Sequence, residues 1–231
     1  MKKVAIVGAN GFVGKALSRA SLKYDFDITE VTRDNYQENK DKEYDILINT
    51  AMPSRRFWAL NNPVDDVNET IVKTAKLFYE WKYDKFIQIS SISAEQQLDI
   101  PYGAHKRAAE VIVENSDKTL ILRLGALYGE GLLKSALFDL IKKQHIYVDI
   151  QSEYNYINID YVAKWIFDNA HQKGIVDIGA RDTISLLQIS KGIWDNPSYE
   201  GRYEKIFSEN VAADMPSSQE VLEYVKAIKE G

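Results

Sequence analysis

The sequence contains no cysteine, only three histidines and five prolines among 231 residues, and no apolar run long enough to cross a bilayer. Without cysteine the chain has no disulfide, no thiol nucleophile and no cysteine-bound zinc. His105, His145 and His171 are too scattered to predict a metal site. Any chemistry must therefore come from hydroxyl, amine, carboxylate or imidazole groups, or from a bound cofactor.

Basic residues are outnumbered by acidic ones, with 29 lysines and arginines against 34 aspartates and glutamates and a formal net charge of -5. Phosphate binding draws on a basic surface, so this balance predicts no nucleic-acid partner. The first apolar run, residues 4–7, ends at Gly8 before it reaches the length of a signal peptide. We therefore expect no membrane partner and a cytoplasmic location.

Short apolar runs alternate with segments of helical period, which is typical of βαβ units and a parallel sheet. The pattern predicts an α/β fold, a Rossmann-type doubly wound parallel sheet with a small C-terminal substrate lobe. We expect one domain over residues 1–231, with residues 1–124 as the dinucleotide-binding core and residues 125–231 as the substrate-side lobe with the late strands. The predicted strands are residues 3–7, 27–32, 46–49, 86–90, 119–124, 146–150 and 175–178. The predicted helices are residues 14–23, 64–81, 102–114, 132–143, 161–170 and 217–229.

Three glycines follow the first predicted strand, in Val7-Gly8-Ala9-Asn10-Gly11-Phe12-Val13-Gly14. Gly8 permits a tight turn, Gly11 lets the backbone approach a pyrophosphate, and Gly14 lets the helix pack close to the strand. The N–H groups and the dipole at the helix start favour an anion. A plain strand-to-helix turn is the alternative, but the position at the first helix of a βαβ unit favours dinucleotide binding.

The end of the second predicted strand decides which dinucleotide is preferred. Thr32 and Arg33 stand there, where an acid would bind the adenosine ribose and repel a 2′-phosphate. Arg33 can pair with a 2′-phosphate, so the sequence predicts NADP in preference to NAD. Glu30 or Asp34 would occupy the position if the strand ended two residues away, and a solvated surface arginine is the alternative for Arg33.

A tyrosine and a lysine are spaced by one helical turn at the start of the third predicted helix. Tyr102 and Lys106 share one face of that helix, just after Pro101. A free tyrosine is a poor acid–base group at neutral pH, and the Lys106 ammonium would stabilise its phenolate. Ser90 and Ser91 end the preceding strand, where a hydroxyl can donate to a substrate carbonyl. Ser93 leaves open which hydroxyl matters, and an ordinary helix surface is the alternative for the pair.

These motifs resemble the extended short-chain dehydrogenase/reductase family, in its NAD-dependent epimerase/dehydratase group. The matching stretches are Gly8-Ala9-Asn10-Gly11-Phe12-Val13-Gly14, Asn49-Thr50-Ala51, Val67-Asn68-Glu69-Thr70, Ile89-Ser90-Ser91, Tyr102 with Lys106, Arg123-Leu124-Gly125-Ala126-Leu127-Tyr128-Gly129 and Tyr156-Ile157-Asn158-Ile159-Asp160. The resemblance implies a Rossmann fold and often nucleotide-sugar substrates. It implies that Ser91 polarises a carbonyl, that Tyr102 exchanges the proton, and that Lys106 lowers the pKa of the tyrosine.

The expected cofactor contacts combine the glycine turn, the strand ends and the triad helix. They are Gly8, Asn10, Gly11, Phe12, Val13, Gly14, Thr32, Arg33, Asn49, Ala51, Ser90, Tyr102, Lys106, Leu124, Gly125 and Leu127. The resemblance also implies a homodimer formed by pairing of the helices 64–81 and 102–114.

The chain departs from the family in three places. It is shorter than typical extended members, so the lobe that binds a nucleotide-sugar is reduced. Ser91 is followed by Ile92 and Ser93, where sugar-nucleotide 4,6-dehydratases carry an acid pair, so reduction or epimerisation is favoured over dehydration. Tyr161 replaces the second acid after Asp160.

The sequence thus predicts a reductase or epimerase that prefers NADP and acts on a carbonyl or alcohol carbon of a sugar or nucleotide-sugar. A catalytically silent NADP-binding sensor or assembly factor on the same fold is the alternative, and a plain interaction module without cofactor is a third.

Two further interpretations concern His105 and the arginine pair at positions 55 and 56. His105 is interpreted as a helix-surface residue, and Arg55 with Arg56 as a weak site for a substrate anion or as solvated charges.

Overall fold

The structure is a computed structural model that describes residues 1–191 and 193–230. The strands are β1 Lys2–Val7, β2 Phe26–Val31, β3 Glu43–Asn49, β4 Lys82–Ser91, β5 Thr119–Leu124, β6 Leu127–Tyr128, β7 Glu153–Tyr154, β8 Ile157–Asn158, β9 Gly174–Ile178, β10 Ile184–Ser185 and β11 Lys205–Ile206. The helices are α1 Phe12–Ser21, α2 Tyr36–Lys40, α3 Arg56–Asn61, α4 Pro63–Val67, α5 Lys73–Glu80, α6 Ser93–Gln96, α7 Pro101–Val113, α8 Ala136–Ile141, α9 Ile159–Asp168, α10 Leu186–Ser190 and α11 Glu220–Glu230. A π-helical segment, Asn68–Val72, joins α4 to α5.

The central sheet has six strands in the order β2-β1-β3-β4-β5-β9. The first five run parallel, with Val7 of β1 opposite Val31 of β2 and Asn49 of β3. The strand order reverses at β1, because β2 lies on one side of it and β3 on the other. Ligands of doubly wound sheets bind beyond the carboxyl ends of the strands at such a switch point. The fold is the Rossmann-type sheet that the sequence predicts.

The central strands β1, β3 and β5 are largely buried because they are mostly apolar on both faces, as parallel strands covered by helices must be. Residues 4–7 of β1 and all of β5 are buried. Against one face pack Leu77 and Trp81, which join Phe86 in a buried cluster. Each fully buried large apolar side chain contributes about 1.5–3 kcal/mol, so this packing fixes the strand ends that carry the polar residues.

The chain forms two compact units. The first comprises residues 1–124 and 163–176, which hold β1 to β5 and most of α9. The second comprises residues 125–162 and the chain from residue 177 onward, with a three-stranded sheet β10-β7-β11 and the pair β6-β8. Within the second unit the hydroxyl of Tyr224 on α11 donates to the carbonyl of Gly129 at 2.9 Å.

The predicted strands at residues 3–7, 27–32, 46–49, 86–90, 119–124 and 175–178 are confirmed, with ends shifted by up to four residues. The strand predicted at residues 146–150 is wrong, because Ile146 forms only an isolated bridge with Tyr199. The N–H of Ile146 bonds to Ser198 and that of Asp149 to Arg202, without a continuous ladder. Buried Ile146 and Ile150 therefore gave a strand-like pattern in a loop.

The predicted helices are confirmed, with one shortened and one interrupted. The helix predicted at 132–143 contracts to Ala136–Ile141, because the Ser135 side chain caps it by accepting from Phe138 N–H. The helix predicted at 64–81 contains the π-helical segment. The short helices α2, α3, α6 and α10 were not predicted, since four to six residues carry too few periodic positions.

Candidate active site

The glycine turn after β1 has the backbone that the sequence predicts. Gly8 has a φ of +88°, a conformation that glycine adopts without strain. Its N–H donates to Val31 at 2.9 Å and its carbonyl accepts from Gly11 at 2.9 Å. A Cβ on Gly14 would lie 2.4 Å from that same carbonyl oxygen, so α1 packs against the turn only because residue 14 has no side chain.

The start of helix α1 fits an anion. Gly11 is the N-cap residue, no side chain caps the helix, and no acid stands in the first turn. The N–H groups of Phe12, Val13 and Gly14 have no preceding helical carbonyl to bond. A Cβ on Gly11 would meet only the Gly8 carbonyl oxygen, at 3.1 Å, and Asn10 beside it is exposed. The turn therefore fits the pyrophosphate of a dinucleotide.

The end of β2 places Arg33 at the same edge of the sheet. The Thr32 N–H donates to Asn35 Oδ1 at 2.8 Å, and Asn35 Nδ2 donates to the Glu30 carbonyl at 2.9 Å. This closed turn leaves the Arg33 side chain 88% exposed, with Nη2 3.8 Å from Glu69 Oε2. The guanidinium thus stands outside the strand ends, next to one carboxylate.

Asn49 at the end of β3 supports the site from within the protein. Its Nδ2 donates to Thr74 Oγ1 at 3.2 Å and to Gln88 Oε1 at 3.0 Å, and its Oδ1 accepts from Ala51 N–H at 3.1 Å. Asn49 has no exposed surface. The Asn49 side chain therefore shapes the loop that carries half-buried Ala51, and the expected cofactor contact of Asn49 stays a prediction.

The two serines at the end of β4 have different partners. Ser90 Oγ donates to Glu110 Oε1 at 2.5 Å, so this side chain faces helix α7 and is not directed to a ligand. Ser91 Oγ accepts from Ser93 N–H at 3.2 Å, and Ser91 lowers the pKa of the Tyr102 phenol. The Ser90 hydroxyl is thus engaged by Glu110, while the cofactor contact of Ser90 and the choice of Ser91 as the catalytic hydroxyl stay predictions.

Tyr102 and Lys106 lie on α7 as their spacing predicts. Lys106 Nζ is 5.3 Å from the centroid of the Tyr102 ring, and both side chains are buried. Pro101 is the first residue of the helix, where its missing N–H costs nothing. Gly103 allows close packing of this turn, because a Cβ there would lie 2.1 Å from the Gln97 carbonyl oxygen.

The pKa of Tyr102 is raised above its ordinary value, chiefly because burial disfavours the phenolate. The Ser91 hydrogen bond and the Arg56 charge lower this pKa, and the Asp66 carboxylate raises it. The sequence predicts a pKa lowered by Lys106. Burial outweighs the lowering by Ser91 and Arg56, and the effect expected of Lys106 stays a prediction.

Three residues beside the triad were missed or misinterpreted from the sequence. His105 is not a surface residue, because its side chain is 17% exposed and Nδ1 lies 2.7 Å from buried Asp66. Arg56 lies near Tyr102, with Nη1 3.5 Å from Gln97 Oε1. Glu110 is fully buried. The sequence does contain a signal for such partners. It is a charged residue on the apolar face of a predicted helix, as at Asp66 and Glu110.

The last expected cofactor residues lie at the end of β5 and directly after it. Leu124 ends this strand in the first unit and is buried. Gly125 and Leu127 begin the second unit, where Gly125 N–H donates to Ile178 at 2.8 Å and Leu127 pairs with Ile157.

The glycine turn and the residues Ser91, Tyr102 and Lys106 thus occur together in the first unit. The family profile of the NAD-dependent epimerase/dehydratase family matches residues 4–151, which is more than half of the chain. The chain belongs to this family. Its cofactor is accordingly a nicotinamide dinucleotide, NADP or NAD. A search of the curated proteins finds no match.

Solved structures similar to this family member share its fold over almost their whole length. A dTDP-4-dehydrorhamnose reductase from Bacillus anthracis, in complex with NADP, is 18% identical with a TM-score of 0.79, covering 98% of each chain. A UDP-glucose 4-epimerase from Thermotoga maritima, with UDP-glucose, is 14% identical with a TM-score of 0.77, covering 99% of each chain. An RMD protein from Pseudomonas aeruginosa, complexed with NADPH, is 13% identical with a TM-score of 0.78, covering 98% of each chain.

Within residues 1–191 and 193–230, which the structure describes, no group of three or more histidine, aspartate or glutamate side chains is placed to hold a metal ion. No helix in the same residues has both the length and the apolar character needed to span a membrane.

Proposed function

We propose that this family member is a reductase that uses NADPH to reduce a ketone of a nucleotide-linked sugar, with Ser91, Tyr102 and Lys106 as its catalytic residues. The observation that carries the proposal is the arrangement of these three side chains. The Lys106 ammonium lies 5.3 Å from the centre of the buried Tyr102 ring, and Ser91, at the end of β4, lowers the pKa of the same phenol.

Each of the three groups has a distinct role in this reaction. Because Ser91 Oγ already accepts from Ser93 N–H, its own proton is available to a substrate carbonyl oxygen or to the tyrosine. Tyr102 gives a proton to that oxygen as it becomes an alcohol. Lys106 stabilises the negative charge that the phenol then acquires. The bound nicotinamide supplies the hydride.

The protonation state of Tyr102 supports reduction as the favoured direction. Burial raises the pKa of this phenol, which keeps it neutral at neutral pH. A neutral phenol is the proton donor that reduction needs. Oxidation of an alcohol needs the phenolate instead and would be favoured at alkaline pH.

The residues after Ser91 support reduction or epimerisation over dehydration. Dehydration of a sugar needs an acid and a base besides the triad. Ile92 and Ser93 carry no carboxyl group, so the acid pair of the dehydratases is missing at these two positions.

The substrate class is supported by fold likeness alone. The similar reductase and epimerase act on sugars linked to dTDP or UDP, as their names state.

Arg33 at the end of β2 supports NADP over NAD, because its exposed guanidinium suits a 2′-phosphate.

To test this function directly, the purified protein is mixed with NADPH and a panel of 4-keto sugars linked to dTDP, UDP or GDP, and the absorbance of NADPH is followed. Loss of NADPH absorbance with one of them, and no loss with Tyr102→Phe, is the expected result. Interconversion of sugar epimers without net cofactor consumption, followed by NMR, would make the protein an epimerase. NADPH binding with no turnover of any sugar would make it a sensor, and no NADPH binding an interaction module.

We also propose a homodimer formed by the helices around the triad. Exposed apolar side chains stand on α4, the π-helical segment, α5 and α7, namely Val64, Val72, Tyr79 and Val111. Light scattering should give twice the mass of the chain, and Val111→Lys should shift the protein toward the monomer. A monomeric wild-type protein would overturn this assignment.

The cytoplasmic location stays a prediction, to be checked by cell fractionation.

A further inference from the structure

We propose that Glu110 is a positioning residue of this site. Its buried carboxylate fixes the rotation of α7 against β4 and β5, and thereby holds Tyr102 and Lys106 opposite Ser91. The inference rests on the proposed function, because it concerns the same triad. It adds a residue that touches neither substrate nor cofactor and acts through the helix.

The Glu110 carboxylate accepts hydrogen bonds from three elements. Its Oε1 accepts from Ser90 Oγ on β4 at 2.5 Å and from Arg123 Nε on β5 at 3.1 Å. Its Oε2 accepts from Arg123 Nη2 at 2.9 Å and from Arg107 Nη1 on α7 at 3.3 Å. The side chain has no exposed surface. These contacts tie the helix to the ends of two neighbouring strands.

The position of Glu110 in the sequence connects this network to the triad. Glu110 follows Lys106 by four residues and Tyr102 by eight, so the three side chains share one face of α7. Its strand partner Ser90 immediately precedes Ser91. One carboxylate is therefore bonded to the neighbour of one catalytic residue and stands one helical turn from another.

Holding the helix in place does not by itself require buried charge. Apolar side chains of similar volume hold a helix on a sheet as well as a buried ion pair does. Hydrogen bonds, unlike apolar contacts, are directional, and a charge-assisted set with donors from three residues permits one orientation of the helix. Arg123 is itself oriented, since its Nη1 lies 3.4 Å from Glu95 Oε2. The network thus specifies the rotation of α7, which sets the distance from Tyr102 to Ser91.

The test replaces the whole pair, so that no buried charge is left alone. Glu110→Leu with Arg123→Met should melt near the wild-type temperature, while kcat falls about tenfold or more and the Kd for NADPH changes less than about twofold. Glu110→Gln should lower kcat in the same way with a larger loss of thermal stability. Glu114→Gln is the matched control, because Glu114 binds Arg107 on the same helix without reaching the strands, and it should keep the wild-type kcat.

A second readout needs no substrate. In protein labelled with meta-fluorotyrosine, the fluorine resonance missing from Tyr102→Phe belongs to Tyr102. This resonance should move or broaden in the Glu110→Leu/Arg123→Met variant and stay in place in Glu114→Gln. If kcat and the Tyr102 resonance both match wild type in the double variant, the positioning role is overturned. If wild-type protein turns over no sugar, the proposed function fails, and the resonance alone decides the role of Glu110.

Discussion

The imidazole Nδ1 of His105 lies 2.7 Å from a carboxylate oxygen of Asp66, whose side chain is only 1% exposed. Asp66 is on α4, and His105 is on α7 between Tyr102 and Lys106. The pair therefore joins two helices directly beside the reacting phenol. Because the carboxylate raises the pKa of Tyr102, it opposes the effects of Ser91 and Arg56 on the same group.

Asp66→Asn should lower the pKa of Tyr102, because the negative charge that raises it is removed. In the oxidation direction the phenolate is the active form, so kcat rises with pH through this pKa. The rising limb of the pH profile should move to lower pH by up to roughly one unit. Thr70→Val is the control, since it removes another hydrogen bond to Asp66 and leaves the charge. A limb that stays in place or moves to higher pH contradicts the prediction.

Tyr102→Phe should lower kcat by a factor of about 100 to 10,000, because the only change is loss of the proton-transferring hydroxyl. NADPH affinity, measured by fluorescence titration, should stay within about twofold, since the phenyl ring still packs beside Lys106. Retained turnover would show that another group transfers the proton.

Gly11→Ala and Gly14→Ala separate cofactor binding from folding. Gly11 has a φ of -77°, which alanine adopts, and its Cβ would meet a single atom at 3.1 Å. This variant should fold and lose NADPH binding, because the methyl group occupies the approach of the pyrophosphate. Gly14→Ala places a Cβ 2.4 Å from a backbone oxygen and should lose about 1–3 kcal/mol of stability. Thermal melts with NADPH titrations check both, and unchanged NADPH binding by Gly11→Ala contradicts the assignment of the turn.

Arg33→Ala should weaken NADPH binding about 10- to 100-fold and leave NADH binding nearly unchanged, because only NADPH carries the 2′-phosphate. Glu69→Gln is the control, since it removes the carboxylate 3.8 Å from Arg33 and should not weaken NADPH binding. Equal losses for both nucleotides, or a wild-type preference for NADH, would contradict the role of Arg33.

The protonation of Tyr102 shows what sequence reasoning lacked. Spacing placed Lys106 one turn from the phenol, and that geometry is confirmed. The direction of the pKa shift depends on desolvation and on Asp66 and Arg56, which are distant in the chain. Sequence reasoning likewise could not distinguish Ser90 from Ser91. Only the position of Glu110 shows that the Ser90 hydroxyl binds a carboxylate, whereas Ser91 Oγ accepts from Ser93 N–H.

The sequence by itself determined the alternation of strands and helices, the glycine turn and the one-turn spacing of Tyr102 and Lys106. These depend on local backbone geometry and hydrophobic period, which neighbouring residues carry. Only the tertiary structure decided that Ser90 binds Glu110, that Asn49 is internal, and that Glu110 and Asp66 are buried charges bound to distant partners. Such pairings arise where strand ends and helices meet, and burial sets their strength, so a linear pattern does not contain them.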